Sequence, residues 1–253
     1  MFNRSIAAEL DYGITDKLSV TAVFPYVSGK YTDAEDPPDP VASNDACRCL
    51  QSDWQDFSFS ARYRLFDRRR LKLVPSVSIG IPSHAYEYIG ATVPGRHLKE
   101  LTLAMNVYRR LDLVSRNASF SARYSYTFVE RLLDISTNRS NLILEGDYKL
   151  GKSWVVRGIA LLQRTHGGLR FPPAGEEWEI NRSEKLLHRN RLFRDNHFRI
   201  GAGATYQLGA VDLLGSMIFH VTGTNTHVEN ILTIGVRWPF SLRRNDYKAP
   251  SNQ

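Results

Sequence analysis

Phe57-Ser58-Phe59-Ser60-Ala61-Arg62-Tyr63-Arg64-Leu65 reads as two opposite faces. Phe57, Phe59, Ala61, Tyr63 and Leu65 make one; Ser58, Ser60, Arg62 and Arg64 make the other. Side chains alternate along a strand with period two, so this is a strand with one greasy and one charged side. The pattern returns over 118–128, where Ala118, Phe120, Ala122, Tyr124, Tyr126 and Phe128 interleave with Ser119, Ser121, Arg123, Ser125 and Thr127. It returns over 198–208, with Phe198, Ile200, Ala202, Ala204, Tyr206 and Leu208 set against Arg199, Gly201, Gly203, Thr205 and Gln207. Strands of this kind, with the charged face inward, build an all-β antiparallel transmembrane barrel around a wet lumen.

Along the whole chain the spacing predicts about eleven strands, near 5–15, 18–29, 54–66, 71–82, 98–111, 118–130, 140–150, 154–165, 196–208, 211–222 and 230–241. Short connections (Asp16-Lys17, 67–70, 112–117, 151–153, Gly209-Ala210) alternate with long ones (30–53, 83–97, 131–139, 166–195, 223–229). Barrels of the outer membrane have short turns on one side and long loops on the other.

The first and last stretches both run toward the short-turn side. A closed antiparallel barrel of bacterial type has an even count. The reading is therefore about 12 strands in the complete protein, 11 of them visible, with residues 1–241 as the barrel and 242–253 as a polar C-terminal tail. Met1-Phe2-Asn3-Arg4-Ser5 enters the strand pattern without the apolar core of an export signal, which fits a start lacking both signal and first strand.

The chain has 253 residues, with 23% charged, 11% aromatic and a formal net charge of +7. No apolar run is long enough for a membrane helix, and a barrel needs none. The basic residues scatter over strand faces and turns instead of forming one stripe, so nucleic acid is not an expected partner. Cys47 and Cys49 form a C-x-C pair in a polar loop, either bridged or simply tolerated. The loop offers too few further ligands for a metal site, and no cofactor is expected.

Some segments break the pattern. Pro75 falls inside a strand and predicts a bulge or a broken pair, whereas Pro25 and Pro82 lie nearer strand ends. Ile159, Leu161 and Ile218 put an apolar patch on the inner face. In loop 166–195, acidic 175–180 precedes basic 183–192, which suits a short helix. Capping the pore, folding into it, lying on lipopolysaccharide and an ordinary solvated loop are all open for it.

Thr233-Ile234-Gly235-Val236-Arg237-Trp238-Pro239-Phe240 resembles the outer-membrane assembly signal: polar, x, Gly, x, x, aromatic, x, aromatic. The resemblance implies that Thr233, Gly235, Trp238 and Phe240 are recognised by the barrel-assembly machinery through strand addition. The tail after Phe240 departs from the pattern, since the signal usually ends the chain. Most of the chain resembles the outer-membrane barrel family of the phenol meta-cleavage pathway type. Leu10-Asp11-Tyr12-Gly13-Ile14-Thr15-Asp16-Lys17-Leu18-Ser19-Val20, Phe24-Pro25-Tyr26-Val27, 73–82 with its proline, and Thr224-Asn225-Thr226-His227 carry that resemblance. It implies a transporter of small molecules, outer-membrane lipid and lipopolysaccharide as surroundings, and no catalysis.

Chemistry has few footholds. Of the seven histidines, His220 with Ser216 is the one tempting pair, and four residues along one strand is about 13 Å, too far for proton transfer. Gly201-Ala202-Gly203 sits in a strand and is no phosphate loop. The function is expected in the lumen. The candidate filter residues are Arg62, Arg64, Lys72, Glu100, Arg110, Arg123, Glu145, Asp147, Arg157, Arg199 and Arg237, with Glu9, Asp11, Asp56 and Lys149 on the same face. Such charges either interlock across a plugged lumen or line a gap that favours anions slightly. The leading reading is a passive channel for small, aromatic or otherwise hydrophobic, molecules. A closed structural or adhesive barrel and a soluble ligand-binding barrel are the alternatives.

Overall fold

Alternation does build one continuous wall. The structure, a computed structural model, describes residues 2–30, 50–68, 70–86, 95–112, 114–170, 188–226 and 228–240. The strands are β1 (Phe2–Gly13), β2 (Leu18–Lys30), β3 (Gln51–Trp54), β4 (Phe57–Tyr63), β5 (Phe66–Arg68), β6 (Leu71–Ile81) and β7 (Glu100–Arg110). They continue as β8 (Ala118–Val129), β9 (Thr137–Leu150), β10 (Trp154–Gly167), β11 (Asn196–Leu208), β12 (Val211–Thr224) and β13 (Ile231–Arg237). A single-turn helix, α1 (Arg189–Leu192), precedes β11. Every neighbouring pair is antiparallel, in the order β1-β2-β4-β6-β7-β8-β9-β10-β11-β12-β13. Segments β3, β4 and β5 follow one another down a single stave, because β3 pairs with β2 above β4 and β5 with β6 below it. The sheet is thus an antiparallel curled wall of eleven staves, as the spacing predicts. Its two outermost staves, β1 and β13, run in the same direction.

The registers assign the faces. Leu10 lies opposite Ala22, Ala22 opposite Phe59, Phe59 opposite Ile79, Ile79 opposite Leu101 and Leu101 opposite Phe128. That row continues around the outside, where large apolar side chains stay exposed, from Leu10 and Val77 to Ile200 and Ile234. Rings gather near both rims, Trp154 on Tyr206 at the turn end and Tyr26 on Trp54 at the loop end.

The third stave breaks twice, and each break faces a proline. Val23 pairs with Ser58 and Tyr26 with Trp54, so β3-β4 carries one residue more than β2 across Pro25. Arg62 pairs with Ser76 and Phe66 with Leu73, so β4-β5 again carries one extra across Pro75. Proline has no N–H to give, and a bulge removes the need for one. On the other side of Pro75 the ladder with β7 is unbroken. The expected fault at Pro75 is therefore one-sided, and Pro25 has a matching fault that the sequence reading placed harmlessly near a strand end.

Other differences are at the ends. The last strand stops at Arg237 and not at 241, so Trp238 and Phe240 lie beyond the ladder, with Pro239 between them. The connection read as 131–139 shrinks to 130–136, because β9 starts at Thr137 and a Leu132–Ile135 bridge tightens the tip. Cys47, Cys49, most of the loop helix expected over 175–192 and the tail 242–253 lie outside the described residues.

Candidate functional site

The inner face is the candidate site, and its charges fall at three heights. At mid-wall, Arg62 bonds Asp11 and donates to the Thr21 hydroxyl at 3.0 Å, reaching over β2. Toward the turn end Arg157 holds its cross-strand partner Asp147 at 2.6 Å and Glu145 at 3.7 Å. Lys72 and Arg64 share Asp67, at 3.4 and 3.5 Å. Arg110 meets Asp112 at 3.3 Å and Arg237 meets Asp212 at 3.7 Å. These pairs run along the wall, within one stave and its turn or between staves one or two apart, not across its hollow. Arg123 has no ion-pair partner among the described residues; it lines a cavity of about 550 Å³ with Asp56, Ser78, Glu100, Arg139 and Gln163. Side chains from β4 through β10 share that cavity, so the polar face is concave.

The third height is the loop end, where most of the buried side chains collect. Tyr86, Leu98 and Leu192 are enclosed there with Thr137, Arg191 and Arg199. Two loop segments, 83–86 with 95–99 and 188–195, pack into the mouth. Arg96 donates to the Thr137 hydroxyl at 3.1 Å and to the Arg191 carbonyl at 2.6 Å. Arg191 answers by donating to the His97 carbonyl at 2.8 Å. Each loop thus holds the other through a guanidinium on a backbone oxygen, the stronger, charge-assisted kind of bond. Glu100 binds Arg139 across β8 and lies 3.9 Å from Arg96. Arg199 reaches Glu229 at 3.0 Å. Burial, with Arg139 nearby, pulls the Arg96 guanidinium down to about 10.

The first bulge serves this mouth. It aims Asp56 at Tyr86, whose hydroxyl donates to the carboxylate while accepting the His97 N–H at 2.8 Å. Burial pushes the Asp56 carboxyl up from its usual range, and burial and Asp56 together push the Tyr86 phenol up. Gly95 makes the packing possible, since a Cβ there would sit 2.5 Å from the Tyr86 hydroxyl. On the other loop, Thr165 and Gln163 hold Asp195 while His197 contacts its carboxylate at 3.1 Å. Burial pushes that carboxyl up, but hydrogen bonds from His197 and Thr226 outweigh it and leave it below the usual value.

All the sequence-named filter residues sit on inner-face positions or, for Arg64, at the second bulge. The structure joins all of them except Arg123 to ion-pair partners among the described residues and sets Arg110 and Arg237 near the turn-end opening. Arg96, Arg191, Arg139, Tyr86 and Asp195 were not singled out from sequence. Their signal is weak, because loop residues carry no period.

The register brings together a hydroxyl–imidazole pair other than His220 and Ser216. Ser140 and His166, on adjacent strands of the outer face, lie 2.8 Å apart, with the Tyr124 hydroxyl 3.3 Å from Ser140 and Tyr126 stacked on the ring. Asn138, opposite His166, gives its carbonyl oxygen to the Val129 N–H, so it does not orient the imidazole. Among the described residues the His166 ring makes this one hydrogen bond, and the arrangement is a hydrogen-bonded part of the ring belt.

No family model matches the sequence, and no curated protein matches it. Among solved structures, the COG4313 outer membrane channel from Pseudomonas putida F1 superposes with a TM-score of 0.61 at 11% identity, covering 92% of this chain and 80% of the other. OmpT, an outer membrane protein of Vibrio cholerae, gives a TM-score of 0.44 at 9% identity, covering 92% and 89%. The first likeness is one of fold: the chain has the architecture of an outer-membrane β-barrel.

Proposed function

We propose that the chain is an outer-membrane channel that lets small molecules diffuse passively through its lumen. The observation that carries the reading is the wall itself. Its outside is apolar between two ring belts, as lipid requires, while its inside holds ion pairs along the staves and leaves a cavity at each end. The inner-face charges act as the filter, and the two loops at the mouth set the narrowest point. The apolar inner positions Ile159, Leu161 and Ile218 suit solutes with an aromatic or otherwise hydrophobic part. Membership of the phenol meta-cleavage type, lipid and lipopolysaccharide around the barrel, and insertion by the assembly machinery through Thr233, Gly235, Trp238 and Phe240 belong to the same proposal. So does closure by a twelfth strand.

Purified protein in planar bilayers tests it. Single-channel steps, and swelling of liposomes in small sugars, are expected; silent bilayers containing correctly folded protein would refute it. The mutual Arg96–Arg191 lock favours a second reading, a barrel closed at its mouth with a structural role. That reading expects silence from the native protein and conductance once Arg96 is removed.

A further inference from the structure

The turn end of the lumen is built unlike the mouth. A cavity of about 470 Å³ opens there, bordered by the ends of β7 to β13 and their turns. Six cations border it, Arg110, Arg116, Lys149, Lys152, Arg157 and Arg237, against two carboxylates, Asp147 and Asp212. Asp147 is committed to Arg157 at 2.6 Å, and Asp212 stands 3.7 Å from Arg237. Arg116, Lys149 and Lys152 have no carboxylate partner among the described residues. Cations crowded into a concave, protein-walled space hold a positive potential that water only partly screens.

A second hollow of about 300 Å³ adjoins this one, and Arg157 and Thr205 border both. Ile159 and Leu214 line it, Glu145 borders it with its charge turned to Arg157 at 3.7 Å, and Gly203 and Gly235 occupy inner positions of β11 and β13 where side chains would fill it. A basic chamber thus runs into an apolar notch, with one arginine at the junction.

We propose that this composite cavity binds small monocarboxylates with an apolar body. The carboxylate lies among Arg116, Lys149 and Lys152, the cations without a carboxylate partner among the described residues, and the hydrocarbon part lies against Ile159 and Leu214. This deepens the channel reading by naming a solute class, and rests on it for a lumen open to water at the turn end. A bare anion gains the field but leaves the notch empty; a neutral molecule of the same shape gains the notch alone.

Calorimetry on the detergent-purified chain with hexanoate, hexanol and inorganic phosphate tests it. Hexanoate is expected to bind about tenfold tighter than either of the others. The double substitution Lys149→Gln with Lys152→Gln, at solvent-facing positions, should weaken hexanoate about tenfold, and Ile159→Ser should weaken hexanoate while sparing phosphate. Equal binding of hexanoate and phosphate, or a double variant that binds like the native chain, would overturn the proposal. Conductance measured in parallel separates the two claims. A conducting protein without hexanoate binding refutes this site alone; a silent protein that binds hexanoate refutes the channel alone.

Discussion

The two ends of the lumen use the same residue type in opposite ways. At the loop end, Arg191 and Arg199 are buried and Arg96 and Arg139 half-buried, and each gives donors to a carbonyl, hydroxyl or carboxylate. At the turn end, Arg116, Lys149 and Lys152 face water around a cavity and hold no counter-charge among the described residues. Enclosure decides the role. A buried guanidinium must spend its hydrogen bonds, so it fastens segments together; an exposed one keeps its hydration and contributes a field.

Breaking the fastened end should have the largest effect. Arg96→Leu removes the donors to Thr137 and to the Arg191 carbonyl and leaves buried acceptors unmet. A loss of about 3 kcal/mol is expected in denaturant titration, along with a larger single-channel step. An unchanged step would mean that the interlocked loops do not set the narrowest point.

Gly95→Val attacks the same end through volume. Its side chain would meet the Tyr86 hydroxyl and Asp56, and about 2 kcal/mol of overpacking is expected. Limited proteolysis should cut the 83–98 segment faster than in the native chain.

Acid should sharpen the contrast between the two mouth loops. Asp56 is raised when docked. Its docking is favoured below the carboxyl's free value and weakens as pH rises through the docked value. Asp195 is lowered, so its contribution is present above the free value of about 3.9 and fades as pH falls through the lowered one. Between about pH 7 and pH 4, cleavage of 83–98 should slow while that of 188–195 holds steady and rises only below that range. Asp56→Asn should abolish the first response and leave the second.

The turn end should show the smallest stability effect. Lys149→Gln is expected to shift unfolding by less than about 0.5 kcal/mol, since no partner is lost. A larger loss in denaturant titration would mean that the turn end is fastened too.

The wall was legible because a strand advertises its faces every second residue. The eleven staves, their order and the inward positions from Arg62 to Arg237, apart from Arg64 at the second bulge, all follow from that period. Pro75 also announced its fault, since proline cannot join a ladder on both sides. Pro25 did not, because its distance from the strand end looked safe on paper; the extra residue lies on the partner, at Gln55-Asp56. The mouth was illegible for a different reason. Gly95-Arg96-His97 reads as an ordinary polar loop, and only packing against a segment more than ninety residues away turns Arg96 into a lock. Ser140 and His166 were likewise invisible as neighbours, since register brings them together, not spacing.

The paired bulges make the third stave sensitive to editing. Each inserted residue turns the chain over by half a step: Trp54, Phe57 and Phe66 all reach the greasy side although their numbers switch between even and odd. A one-residue deletion at 64–65 would take out the extra residue and its half step together, so Phe66 would still face hydrocarbon opposite Leu73, but Pro75 would meet a regular ladder to which it has no N–H to give. Removing a single codon there should therefore hurt assembly less than removing one from the regular run 58–61, where half of the stave would be turned inside out.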